Sequence, residues 1–147
     1  MRSADFGLPN TAEYSVAMAL PRHKLNLRVL NGIYAYARLE PDAAVPAWAD
    51  NDVFSVWLRT ETELCVVCPD GNVPAGIKKE GPWKIIGIDA TLDFDQVGII
   101  ASLALPLAEA GLSVAPIASF DTDYLLIREA DLAMAKKTLI DAGHAFV

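Results

Sequence analysis

Hydrophobic positions change their spacing twice in the second half of this chain. From Trp83 to Ala90 they alternate as in a strand buried on both faces, with Ile86 and Ile88 on one side and Trp83 and Ile85 on the other. From Val97 the spacing becomes helical: Val97, Ile100, Leu103 and Leu107 recur on one face, and Gly111 follows as a C-cap. Leu112 to Ala118 and Tyr124 to Arg128 return to strand spacing. A second helix is marked by Leu132, Ala135 and Leu139, with Asp131 near its start, Lys136 and Lys137 further along, and Gly143 after its end. Ala145 to Val147 begins a last short strand.

That order, β-α-β-β-α-β, predicts a ferredoxin-like unit. Pro116 fits it. Proline is tolerated in a sheet chiefly at an edge, and the second strand is the edge in the order 4-1-3-2. Pro106, late in the first helix, removes the bond to Ser102 and predicts a kink. The first half is strand-rich. Leu25 to Leu30 and Ile33 to Leu39 alternate around Asn31-Gly32, which predicts a hairpin. A turn-rich stretch with Pro41 and Pro46 leads to strands at Val53 to Arg59 and Leu64 to Cys68. Residues 69–82 hold three Gly and three Pro, a linker by composition. The expected organisation is an extension over 1–24, a first unit over 25–75 and a second over 76–147.

Composition narrows the function classes. The chain has 147 residues, 53% of them hydrophobic, enough for a core. Its net charge of -7 repels phosphate backbones, so nucleic acid is not an expected partner. Val16 to Leu20 is too short an apolar run for a secretory signal, and no stretch is long enough to span a membrane. A cytoplasmic protein is expected. Cys65 and Cys68 lie three apart on a predicted strand and point to opposite faces, so they are expected as separate structural thiols and not as metal ligands. His23 and His144 lack ligand spacing. There is no Ser-His-Asp set, phosphate loop, dinucleotide fingerprint or metal cluster, so neither catalysis nor a cofactor is expected.

Two stretches concentrate the remaining chemistry. Leu92-Asp93-Phe94-Asp95-Gln96-Val97-Gly98 ends a strand and opens a helix, and Ser119-Phe120-Asp121-Thr122-Asp123 forms the turn between the next two strands. A small zwitterion needs free N–H groups for its carboxylate, and the helix start at Val97, Gly98 and Ile99 offers them. Its ammonium needs carboxylates: Asp93, Asp121 and Asp123 are candidates, with Gln96 and Ser119 as neutral partners. Phe120 can cover an aliphatic stem or stack on a guanidinium. Structural duties compete. Asp93 or Asp95 can cap the helix, Gly98 can serve helix packing, and the Asp121-Asp123 segment can be an ordinary turn.

The second half resembles an ACT domain. More closely, the chain from about Lys24 onward resembles the CASTOR-like tandem ACT family, which includes bacterial two-unit proteins and animal cytosolic arginine sensors. The matching stretches are Leu25 to Leu30, Thr60 to Leu64, Leu92 to Gly98 and, above all, Ser113 to Leu132. The resemblance implies an α+β fold of two ferredoxin-like ACT units in tandem, the first degenerate and strand-rich. It implies a non-catalytic sensor that binds a free amino acid between units, at positions equivalent to Asp93, Phe94, Asp95, Gln96, Val97, Gly98, Ser119, Phe120, Asp121 and Asp123. Animal relatives carry four units in one chain, so a homodimer of this chain would supply the equivalent set. The acidic site favours a cationic ligand such as arginine or lysine. The competing expectations are a dimerisation module without a ligand and, less favoured, an enzyme using paired carboxylates.

Overall fold

A computed structural model describes residues 22–147. Most of the expected 1–24 extension therefore lies outside the described residues. The backbone of the fold is one mixed sheet of eight strands. In chain order these are β1 (Asn26–Val29), β2 (Tyr34–Leu39), β3 (Val56–Arg59), β4 (Leu64–Pro69), β5 (Lys78–Ile88), β6 (Val114–Ala118), β7 (Asp123–Arg128) and β8 (Ala145–Phe146). Two α-helices are described: α1 (Ile99–Glu109) between β5 and β6, and α2 (Leu132–Asp141) between β7 and β8.

Strand β5 organises everything else. Its alternation separates two cores, as the spacing predicts. Ile86 and Ile88 pack on the helix side with Leu103, Leu107 and Leu139. Trp83 and Ile85 pack on the other side with Tyr34, Phe54 and Leu126. A third cluster, built on Ala35, Leu64, Val66 and Cys68, belongs to the first half. Truncating any fully buried leucine here is expected to cost about 2–5 kcal/mol.

The segment predicted as a linker ends sooner than its composition suggests. Lys78 to Pro82 are the first part of the eleven-residue β5 and pair with β2. Their proline and glycine are tolerated at a register shift opposite Tyr34 and Tyr36, where β5 carries one extra residue. A Cβ on Gly81 would stand 3.1 Å from the carbonyl oxygen of Tyr34, so the close backbone approach requires glycine.

The hairpin expected at Asn31-Gly32 does not form. β1 pairs antiparallel with β5 through Leu27 and Ile88, and β2 pairs antiparallel with the same edge of β5 through Tyr34 and Trp83. The two strands lie end to end, and Gly32 (φ +102°) makes a corner between them. The Tyr34 hydroxyl donates to the Asn31 carbonyl at 2.7 Å and holds that corner. A strand as long as β5 offers more pairing than a local turn of two residues, and the longer ladder prevails.

This placement changes the expected topology. In a ferredoxin-like order the fourth strand flanks the first. Here β1 lies between them: β8 pairs in parallel with β1, giving β8-β1-β5-β7-β6 across the second half. The first half contributes β1 to β4 and two short 3-10 turns, with no α-helix among the described residues. The departure is thus from the strand order 4-1-3-2 in the second half, while the first half is strand-rich and lacks the helices of a full unit among the described residues. The fold is α+β, with the second half helical on one face and the first half strand-rich.

Pro116 sits in β6, which pairs with β7 alone, so its missing N–H falls on an edge strand. Pro106 lies inside α1. The Ser102 carbonyl it leaves without a helical donor receives the Nε2–H of His144 at 3.0 Å, and the N–H of Leu25 donates to His144 Nδ1 at 3.3 Å. His144 is the buried polar side chain of this core, at 5% exposure.

Tyr34 is buried, and Tyr36 packs edge-on against Trp83, so neither forms an open interface surface. Trp83 is core, whereas Trp57 on the edge strand β3 is exposed. Cys65 and Cys68 are free thiols on opposite faces of β4, and burial pushes both thiol pKa values up.

Candidate functional site

The loop after β5 and the turn between β6 and β7 meet at the start of α1. Leu92 N–H donates to the Asp121 carbonyl at 2.8 Å, which ties the two segments together. Each is also closed on itself. Gln96 Oε1 accepts from the Asp93 N–H at 2.9 Å, and the Gln96 N–H donates to the Asp93 carbonyl at 3.1 Å. In the turn, the N–H and the hydroxyl of Ser119 both donate to the Thr122 carbonyl at 2.8 Å. Thr122 adds a bond from its hydroxyl to the Ile88 carbonyl at 3.1 Å, anchoring the turn to β5.

Between them lies a cleft of ≈ 170 Å³. Asp93, Phe94, Gln96, Ser119, Phe120, Asp121 and Asp123 line it, seven of the ten residues singled out from sequence. Asp95, Val97 and Gly98 do not. Ile99, expected for its N–H, and Thr122, within the expected turn, line it as well, together with Leu92 and Ala118, which were not singled out. The last two are apolar residues whose presence depends on where the strands end, which spacing does not give.

The helix start is shifted from its expected place. Gly98 is the N-cap, in the left-handed region at φ +87° and ψ 6°, and α1 begins at Ile99. The N–H groups without a helical partner are therefore those of Gly98, Ile99, Ile100 and Ala101, so of the three expected donors Val97 alone falls outside the helix start. Val97 is exposed outside the helix, and its carbonyl accepts a 2.7 Å bond from His23 Nε2. No side chain caps α1, so neither Asp93 nor Asp95 performs the capping role. The N-terminal end of the helix keeps its partial positive charge without a protein partner.

Asp123 is the first residue of β7 and is partly buried. Burial raises its carboxyl above the ordinary 3.8. A cation or hydrogen-bond donor beside it would favour its charged form. Phe94 and Phe120 stand over the mouth, 80% and 81% exposed, with ring centroids 5.3 Å apart and planes at 76°. Such edge-on packing holds the two segments together yet leaves most of both rings uncovered.

The ACT domain family profile matches residues 78–141, and a second profile, described as an N-terminal domain, matches residues 32–76. A protein of Agrobacterium tumefaciens, known from its crystal structure, is 34% identical, with a TM-score of 0.81 over 85% of this chain and 93% of that one. A Vibrio cholerae protein of unknown function, described as a possible transport protein, is 18% identical, with a TM-score of 0.67 over 82% of this chain and 91% of that one. The aspartate kinase of Clostridium acetobutylicum, an allosteric enzyme, is 9% identical, with a TM-score of 0.58 over 84% of this chain and 36% of that one. The last two share the fold alone. No curated protein matches the sequence.

The chain carries an ACT domain over residues 78–141. ACT domains are typically regulatory ligand-binding modules. No helix of the described residues is long and apolar enough to cross a membrane.

Proposed function

We propose that this chain is a non-catalytic, cytoplasmic sensor of the CASTOR-like tandem class, which binds a free amino acid in the cleft between the 92–98 loop and the 119–122 turn. The observation that carries the reading is the cleft itself, where Asp93, Asp121 and Asp123 share a wall with an uncapped helix N-terminus. The ligand's ammonium is held by the carboxylates, Asp123 first, because a cation there relieves its unfavourable burial. The ligand's carboxylate is held by the first-turn N–H groups of α1. Phe94 and Phe120 leave the mouth open and apolar, and a second copy of the chain closes it. Binding then stabilises a homodimer by mass action, and the assembly is the output.

One observation favours the second reading, a dimerisation module without ligand: the hydrogen-bonding groups of Gln96 and Ser119 are already engaged within their own segments. A thermal-shift screen of the full chain against the twenty amino acids, with sizing by light scattering, separates the two. A ligand at about 100-fold its Kd adds about 2.7 kcal/mol to the folded state and shifts the melting temperature accordingly. The shift is expected from one or a few amino acids and is lost in Asp123→Asn. No shift from any of them at millimolar concentration refutes the sensor reading.

A further inference from the structure

The cleft is not the largest hollow beside β6. On the other face of the β6–β7 hairpin, a cavity of ≈ 300 Å³ opens against the loop that precedes β3. Its walls are Val53, Phe54, Val56, Ile117 and Tyr124. The rings of Phe54 and Tyr124 meet edge-on there, 5.0 Å between centroids.

Two observations connect this cavity to the cleft. Both are lined by Ala118 and Ser119. β6 is also an edge strand that ends at Ala118, so no further strand separates the two hollows at that corner. The two hollows therefore adjoin at Ala118 and Ser119, where β6 runs into the turn.

The chemistry of the two spaces differs. The cleft is acidic. The larger cavity has no charged residue among those lining it, and the side chains of Asn51, Ser55 and Ser119 there are engaged. Asn51 accepts from the N–H groups of Val53 and Phe54 and donates to the Phe54 carbonyl, while the Ser55 hydroxyl donates to Asp50. A cationic arm placed there loses its water and finds no carboxylate among the lining residues, the nearby Asp50 being engaged by Ser55. An apolar arm loses only unfavourable hydration.

Resting on the reading of the cleft as an ammonium site, we infer that the ligand is an amino acid with an aromatic or branched aliphatic side chain, its head held at Asp123 and its side chain lodged against Phe54, Ile117 and Tyr124. This replaces the cationic ligand that the acidic sequence motif favours. The carboxylates serve the head group common to all amino acids, and the uncharged cavity selects the arm.

Titration calorimetry of the full chain with leucine, phenylalanine, lysine and arginine tests the assignment, alongside Val53→Asp. Val53 is 59% exposed at the rim, so the substitution brings a charge to the cavity without entering the core. Leucine or phenylalanine is expected to bind more tightly than lysine or arginine, and Val53→Asp is expected to weaken that binding about tenfold. Preferred binding of lysine or arginine, or an unchanged affinity in Val53→Asp, overturns the inference and leaves the cleft reading standing. Silence from every amino acid overturns both.

Discussion

Replacing His144 by phenylalanine keeps a ring of similar size in the core and removes both of its hydrogen-bonding atoms. Two backbone groups then lose their partner: the Ser102 carbonyl, bonded at 3.0 Å, and the Leu25 N–H, bonded at 3.3 Å. An unsatisfied buried group costs about 1–3 kcal/mol, and the longer Leu25 bond belongs at the low end. His144→Phe is therefore expected to lower stability by about 2–4 kcal/mol, read from urea unfolding at constant m-value. The sharper test is a double-mutant cycle with Pro106→Ala. Alanine restores the N–H that proline lacks, and the helix can then supply the Ser102 carbonyl with its own donor. In that background the histidine ring is no longer needed for Ser102, so His144→Phe should cost about 1 kcal/mol less than in the parent. Costs that agree within about 0.5 kcal/mol in the two backgrounds would refute the idea that the ring replaces the missing helical bond.

Three further outcomes follow from the same geometry. Gly98→Ala forces a side chain into the left-handed region at φ +87° and should cost about 1–2 kcal/mol in chemical unfolding; an unchanged midpoint would show that the helix start relaxes freely. For Asp123 the folded-state pKa lies above the unfolded one. Its contribution to stability is fully present below pH 3.8 and is lost as pH rises through the folded value, so Asp123→Asn should be at least as stable as the parent at neutral pH and should lack the parent's loss of stability as pH rises through the carboxyl's range; a destabilised, equally pH-dependent variant argues against burial as the cause. Cys68, fully buried, should react with a thiol reagent only on unfolding, and Cys65 slowly, since burial raises both thiols; rapid labelling of two thiols per chain in the native protein contradicts this.

The second half was largely legible in the sequence because its information is local. The alternation of Trp83, Ile85, Ile86 and Ile88 assigns both faces of β5, and Gly111 and Gly143 end their helices at φ +75° and +99°. Pro116 places β6 at an edge by the absence of one N–H. What spacing could not supply is pairing at a distance. Asn31-Gly32 has the local chemistry of a hairpin, yet the long edge of β5 captures the strands on both sides of it. The candidate site divides in the same way. The carboxylates and aromatics of the cleft stand in motifs and were legible. Leu92 and Ala118 reach it only because two strands end beside it. The partnership of His144 with Ser102 spans 42 positions and leaves no local trace beyond Pro106 itself.

The insertion of β1 between β5 and β8 has a consequence for how a signal can leave this molecule. Asn26 pairs with Ala145, β2 continues along the same edge of β5 as β1, and the eleven residues of β5 run through both halves. Two lobes that share a strand cannot close on a ligand as jaws do, because any rotation between them would shear the ladder that both depend on. We therefore expect ligand to leave the radius of gyration of a single copy unchanged and to alter the number of copies in the particle, which small-angle scattering over a concentration series distinguishes. A ligand-induced compaction at constant mass would mean that the sheet bends where its hydrogen bonds say it is continuous.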